Sequence, residues 1–265
     1  MSDSTTLPPE TTTPARTRAA ELERNLGIVR TRIDTACRVA GRDPSDVTLV
    51  VVTKTWPVSD IRTLAALGVT DVGENQDQQA SAKAAETADL PLRRHFLGQL
   101  QRNKAASVAR YADLVHSVDR LSLVDALARG AERAGRRLPC LIQVNLDSAP
   151  GRGGTRPSEL GPLADAIASR APQLELAGVM TVAPLHRSPA LAFESLAVLH
   201  ERLRDAHPSA VIRSAGMSGD LEAAIVSGAT HVRVGSAVLG TRASRLPAAA
   251  PPVTGTGSRE GGAPS

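Results

Sequence analysis

Lysine is the residue whose placement has the most chemistry to offer. It occurs only at 54, 83 and 104, in a chain where lysine and arginine together number 31. A surface cation can be either residue. A nucleophile that condenses with an aldehyde must be lysine, because a guanidinium stays protonated. Lys54 directly follows Val47–Thr53 (VTLVVVT), a β-branched run of the kind that forms a doubly buried strand. Partial desolvation is expected there, which favours the neutral, nucleophilic amine. The competing reading is a lysine snorkelling from a strand end. Lys83, in QQASAKAAE, reads as a solvated helix face, and Lys104, in LQRNKAA, as a structural residue at a helix start.

Two loops have the composition of an anion cradle. Gly216-Met217-Ser218-Gly219-Asp220 and Gly235-Ser236 combine glycines, which admit close backbone approach, with hydroxyls that donate to phosphate oxygens. Helix capping is the alternative for Ser218 and the stronger reading for Asp220. Arg233 alternates with valines in HVRVG, so it faces away from Val232 and Val234. An arginine turned inward needs a partner. Either it forms a structural ion pair, or it donates to the ring nitrogen of a pyridine held above it.

The remaining reactive types offer less. His95, His116 and His231 fall in strands and read as satisfied structural groups. His186, His200 and His207 read as loop or helix surface. Cys37 and Cys140 lack metal-type spacing and read as small buried hydrophobes. No metal-protease, P-loop, dinucleotide or Ser/His/Asp pattern stands in the context it requires.

These residues need elements to position them. Leu22, Leu26, Val29, Ile33, Ala36 and Ala40 make one apolar helical stripe. Eight strand candidates follow, at 47–53, 69–72, 95–97, 114–117, 141–146, 174–181, 211–214 and 231–234, separated by helix-like segments. The alternation implies a parallel sheet, and eight repeats imply an α/β fold of one TIM-like (β/α)8 barrel with an N-terminal helix. Residues 18–245 are the expected barrel. The Thr/Pro-rich residues 1–17 and the Pro/Ala/Gly-rich residues 246–265 are expected to be disordered tails. Active sites of such barrels lie at the strand C-terminal ends. That rule gathers Lys54, Asn75, Ser218, Arg233, Gly235 and Ser236 at one mouth, above strand interiors expected to be Val, Leu and Ile.

Composition excludes several classes. The net charge is +4, but basic residues are interspersed with acids, and aromatics at 2% are too few for a stacking platform, so nucleic-acid binding is not expected. No apolar run is long enough to span a membrane, and the N-terminus lacks the signature of a secretory signal. Low cysteine usage suits a reducing cytoplasm.

The segments LVVVTKTWP, GENQDQQASAKAAE, HFLGQLQRNK, VHSVDRLSLVDAL, LAGVMTVAP and SAGMSGDLEAAIVSGATHVRVGSAVLGTR resemble, in order, the pyridoxal phosphate homeostasis proteins (the YggS/PROSC group). The resemblance implies a single barrel like the N-terminal one of alanine racemase. It also implies pyridoxal 5′-phosphate (PLP) held as a Schiff base on Lys54. On the same basis Ser218, Gly235 and Ser236 hold the phosphate, Arg233 lies near the ring nitrogen and Asn75 lines the ring pocket. It implies a monomer that holds PLP for intracellular vitamin B6 balance, with PLP-accepting apo-enzymes as partners. Two departures stand out: Arg94 replaces the family's usual Trp, with an effect expected on the loop after the third strand, and Gly151–Gly154 (GRGG) is looser than the usual Lys-Gly loop.

Homeostasis without robust turnover is the leading reading. Racemases of this fold use an opposing Tyr from a second domain, whereas the single tyrosine here, Tyr111, falls on a helix. An active PLP enzyme of the alanine racemase type is the alternative, and a phosphate-binding barrel without PLP is a third.

Overall fold

A computed structural model describes residues 14–147 and 152–241. The expected tails lie outside the described residues, except that residues 14–17 are helical, so the N-terminal helix starts earlier than its apolar stripe. Gly151 also lies outside them.

Nine α-helices and three short 3-10 helices accompany eight strands among the described residues. The strands are β1 (Thr48–Val52), β2 (Asp71–Glu74), β3 (Arg93–Phe96), β4 (Leu114–Val118), β5 (Leu138–Gln143), β6 (Leu174–Met180), β7 (Ile212–Ser214) and β8 (His231–Val234). Each pairs in parallel with the next, and β8 returns to β1, closing the barrel. The helices are α1 (Pro14–Val39), α2 (Val58–Ala66), α3 (Asp77–Glu86), α4 (Ala105–Tyr111), α5 (Leu121–Ala134), α6 (Leu160–Ala168), α7 (Pro189–Ala206), α8 (Leu221–Val226) and α9 (Ser236–Leu239). The barrel class read from the alternation is the one observed. The largest strand-boundary differences are β5, which begins three residues earlier, at Leu138, and β2 and β3, which begin two residues later and two residues earlier than expected.

The apolar runs do not fill the barrel as expected. Leu22, Leu26, Val29 and Ile33 of α1 pack with Val51, Val232, Val234 and Leu221, so those strand valines face outward, against helices. A larger cluster packs β4–β6 against α4–α7 in the same manner. Inside the barrel, Leu114, Leu141, Ala177 and Met180 form a small apolar group. Much of the remaining inner face is polar: Asp71, His95, His116, Ser214, His231 and Arg233 are all buried, beside Val50 and Gly73. A strand flanked by helices buries its outer face too, so β-branched sequence does not reveal which face is apolar.

Gly178 shows how tightly the barrel closes. Its φ is 150°, and a Cβ there would lie 2.7 Å from the Ile212 carbonyl carbon and 2.8 Å from the Ile212 nitrogen. Those atoms are backbone of the paired strand β7 and cannot yield without breaking the β6–β7 ladder. Gly178→Ala is therefore expected to destabilise the fold by about 3 kcal/mol. Urea unfolding measures this, and a midpoint equal to that of the parent chain contradicts it.

Candidate functional site

Lys54 sits in the turn after β1. It is exposed, which corrects the expected partial desolvation, and its amine has no hydrogen-bond or ion-pair partner among the described residues. The turn itself is held firmly. Trp56 N donates to the Thr53 carbonyl (3.1 Å), and Lys83 Nζ donates to the same oxygen (2.8 Å) and to Glu74 Oε1 (2.6 Å). Thr53 Oγ1 donates to Glu74 Oε1 as well (2.7 Å). Lys83 is thus a largely buried brace behind Lys54, not the solvated residue expected from its polar helix. Thr55, next to Lys54, has a φ of 67°. A β-branched residue in that region is strained and marks a turn whose shape is imposed by its surroundings.

Register sets the neighbours of this turn. Val51 lies opposite Val234, and Val52 opposite Gly73, so Lys54 emerges between the ends of β8 and β2. On the β8 side, Ser236 Oγ and Ser218 Oγ are 3.3 Å apart, and Ala237 N donates to Ser218 Oγ (3.4 Å). Ser218 and Gly235 are half-buried and Ser236 is exposed, so the cradle opens outward. Asp220 occupies the N-cap position of α8 but makes no side-chain cap; its Oδ1 accepts from Met217 N (2.6 Å) and closes the loop. On the β2 side, Asn75 is half-buried, and its side chain makes no hydrogen bond among the described residues. Gly98 presses on its backbone: a Cβ at Gly98 would lie 2.8 Å from the Asn75 carbonyl carbon.

The N-terminal helix fixes this cradle from outside, a role its apolar stripe did not disclose. Arg32 donates to the Ser218 carbonyl (3.0 Å) and pairs with both oxygens of Glu222 (2.6 and 2.9 Å). Arg18 bonds Asp60 (2.9 Å) and the Leu239 carbonyl (3.0 Å), and its guanidinium carbon lies 4.8 Å from the centre of the Trp56 ring. One side chain thereby ties the Lys54 turn to α9.

Arg233 faces inward, as alternation requires. It has no ion pair among the described residues, which removes the structural-pair reading. It donates instead to Ser214 Oγ (2.6 Å) and the Thr181 carbonyl (2.7 Å). Burial lowers its pKa to about 10, so it stays cationic at neutral pH. Below it, His116 Nδ1 lies 3.0 Å from Ser214 Oγ, His116 Nε2 2.8 Å from His95 Nδ1, and His95 Nε2 2.9 Å from Asp71 Oδ1. Burial acts to raise the Asp71 pKa, but hydrogen bonds from His95, Thr70 and Arg93 outweigh it and hold the carboxyl at about 2.

Buried neutral histidines give the fold an acid limit. Burial above all holds His231 down at about 4, and burial pushes His116 well below the ordinary imidazole value. Unfolded imidazoles take up protons near pH 6.5. The stability due to His231 is thus intact above about pH 6.5 and falls, by about 3 kcal/mol, as pH drops towards 4. The Asp71 contribution is lost only below about pH 3.8, outside that window. Urea midpoints measured from pH 7 to pH 4 should fall steadily, and His231→Asn should flatten the decline; an unchanged slope in that variant contradicts the assignment.

Other expected groups lie away from the mouth. Tyr111 OH donates to Asp77 (3.3 Å), and burial, then the Asp77 charge, push its pKa far up. His200 is buried, not at the surface, with Nε2 2.6 Å from the Ala210 carbonyl and Nδ1 accepting from Arg213 (3.1 Å). Arg94 donates to the Thr87 and Leu92 carbonyls, before β3 rather than in the loop after it. Cys37 and Cys140 are buried, as expected. Lys104 is exposed at the start of α4. Among the described residues no helix is long and apolar enough to cross a membrane.

The profile of the alanine racemase N-terminal domain matches residues 23–243. A pyridoxal phosphate homeostasis protein of Corynebacterium glutamicum is 43% identical over 221 residues, covering 81% of this chain and 99% of that protein. One from Mycobacterium leprae is 40% identical over 248 residues, covering 87% and 96%. The solved structure of PipY from Synechococcus elongatus with PLP bound superposes with a TM-score of 0.70 at 32% identity, covering 83% of this chain and all of that one (100%). An alanine racemase of Corynebacterium glutamicum shares the fold, with a TM-score of 0.60 at 19% identity; the match covers 84% of this chain and 61% of the racemase. The chain therefore belongs to the alanine racemase N-terminal domain family and, within it, to the pyridoxal phosphate homeostasis proteins.

Proposed function

We propose that this chain binds PLP at the barrel mouth and serves to hold it for intracellular vitamin B6 balance. Lys54 is the covalent anchor, Ser218, Gly235 and Ser236 take the phosphate, Asn75 lines the ring pocket and Arg233 faces the ring nitrogen. The observation that carries this reading is one convergence: an amine at Lys54 and a buried guanidinium at Arg233 that form no ion pair among the described residues, and a pair of hydroxyls at Ser218 and Ser236. Those groups suit an aldehyde, a phosphate and a pyridine nitrogen respectively. When bound, PLP supplies an electrophilic aldehyde and an electron-withdrawing ring. A cation at the ring nitrogen keeps that nitrogen unprotonated and weakens its pull on electrons. The names of the curated relatives, and PLP in the PipY structure, support the cofactor.

Holding, rather than turnover, follows from the proton carriers. Tyr111 is committed to Asp77 with its pKa raised, and so supplies no opposing base at neutral pH. The likeness to alanine racemase keeps one second reading open, an active PLP enzyme of that type. Titration of purified protein with PLP tests both. A visible band, and a label that borohydride fixes on Lys54, are expected, together with thermal stabilisation that grows with PLP concentration. Colourless protein that PLP does not stabilise overturns the cofactor. Sustained racemisation or transamination by pure protein overturns the homeostasis reading. Transfer to PLP-accepting apo-enzymes is the further step proposed, measured as recovery of their activity after mixing.

A further inference from the structure

The polar file inside the barrel runs from Asp71, the first residue of β2, through His95 on β3, His116 on β4 and Ser214 on β7, to Arg233 on β8. Every member is at most 5% exposed. Asp71 also accepts from Arg93 (Oδ1, 2.9 Å; Oδ2, 3.1 Å) and from Thr70 Oγ1 (2.6 Å). If neither imidazole carries a charge, the distances permit one proton arrangement. An ionised Asp71 only accepts, so His95 donates from Nε2 and its Nδ1 is a lone pair. His116 must then donate from Nε2 to His95, which leaves its Nδ1 to accept the Ser214 hydroxyl proton. Ser214 oxygen in turn presents lone pairs to Arg233. All four donors point from Arg233 towards Asp71.

We propose that Asp71, His95, His116 and Ser214 are a positioning relay for Arg233. The aligned dipoles present their negative ends to the guanidinium and deliver part of the Asp71 charge to it from a distance. An adjacent carboxylate would hold Arg233 equally well but would cancel its field at the mouth; charges screened by distance do not. The relay thus fixes the guanidinium and leaves its cationic character directed at the ligand ring. His231, whose ring centre is 6.0 Å from that of His95, bonds Thr230 Oγ1 (3.0 Å) and stands beside the file without joining it. The last step of this inference rests on the PLP reading; the relay itself does not.

Side-chain ¹⁵N spectra of the full chain without cofactor test it. His95 and His116 are expected as single neutral tautomers with the proton on Nε2 at pH 7. Asp71→Asn removes the charge that sets the direction, so both tautomers should appear at His116, and the Arg233 side-chain resonances should shift. Ser214→Ala cuts the file at its last link. Arg233 N–H exchange with water should then rise about tenfold or more, and adding Asp71→Asn should no longer move Arg233. A proton on His116 Nδ1 in the parent chain overturns the relay. So do Arg233 signals indifferent to Asp71→Asn in folded protein. If Asp71→Asn does not fold, Ser214→Ala decides alone, and unchanged Arg233 exchange there is the contrary result. With PLP added, Asp71→Asn should shift the visible band while borohydride still labels Lys54. Labelled protein with an unshifted band overturns the reach of the relay to the ring. Absence of label in the parent chain overturns the cofactor reading instead and leaves the cofactor-free spectra to judge the relay.

Discussion

Lys54→Arg is expected to abolish the visible band and all borohydride-fixed PLP, while leaving the cofactor-free fold within about 0.5 kcal/mol of the parent. The two halves of that expectation have separate causes. Lys54 is exposed and makes no hydrogen bond or ion pair among the described residues, so the fold loses nothing with it. Arginine preserves the charge and most of the length but cannot condense with an aldehyde, so only the covalent link is deleted. Ser218, Gly235 and Ser236 should still receive the phosphate, and PLP should bind reversibly, weaker by roughly 100-fold or about 3 kcal/mol. Absorbance, reduction followed by peptide mapping, and equilibrium dialysis read the three quantities. Label that survives on Lys83 or Lys104 would move the anchor elsewhere.

Lys83→Ala should have the largest effect on stability of any single change near the mouth, about 3–5 kcal/mol, because it strips a buried carboxylate of the only cation paired with it among the described residues. Glu74 already has one oxygen, Oε2, with no hydrogen-bond partner among the described residues, so it has no reserve. The same change releases the Thr53 carbonyl and loosens the Lys54 turn. A second variant separates the two effects. Lys83→Met combined with Glu74→Leu removes both charges and should recover most of the stability, since an apolar pair of similar volume does not pay the desolvation of a buried ion pair. The turn should remain loose. Trp56, the single tryptophan, sits two residues beyond Lys54 and reports it: its emission should stay altered in the double variant. Recovery of both stability and emission would mean that Lys83 is a core residue with no hold on the turn.

These two lysines also show where sequence was legible and where it was not. Strand and helix alternation named the barrel, and alternation within HVRVG placed Arg233 inward, because both are local periodicities. Lys54 stood out by residue type and by following a β-branched run. Lys83 was misread because its window is polar and its partners, Thr53 and Glu74, are brought to it only by the β1–β2 register. His200 was misread for a like reason: its partners Ala210 and Arg213 meet it across a helix–strand turn. The polar interior was hidden because an outward-facing valine and an inward-facing one look alike in a string of letters. The roles of Arg18 and Arg32 depend on residues about 190 to 220 positions away, a separation that no periodicity encodes.

That separation bears on how the molecule is made. Arg18 and Leu239 are 221 positions apart, yet they are bonded, and Asn25 likewise donates to the Val238 carbonyl (3.1 Å). A ribosome adding about 5–20 residues per second finishes α1 some ten seconds or more before the chain that α1 must hold. Through that interval Leu22, Leu26, Val29 and Ile33 lack the part of their cover that Leu221, Val232 and Val234 supply. The loops carrying Ser218 and Ser236 can be clamped only once β8 and α9 have emerged. If these loops take the phosphate of PLP, as proposed, a nascent chain cannot complete that site before its barrel is closed.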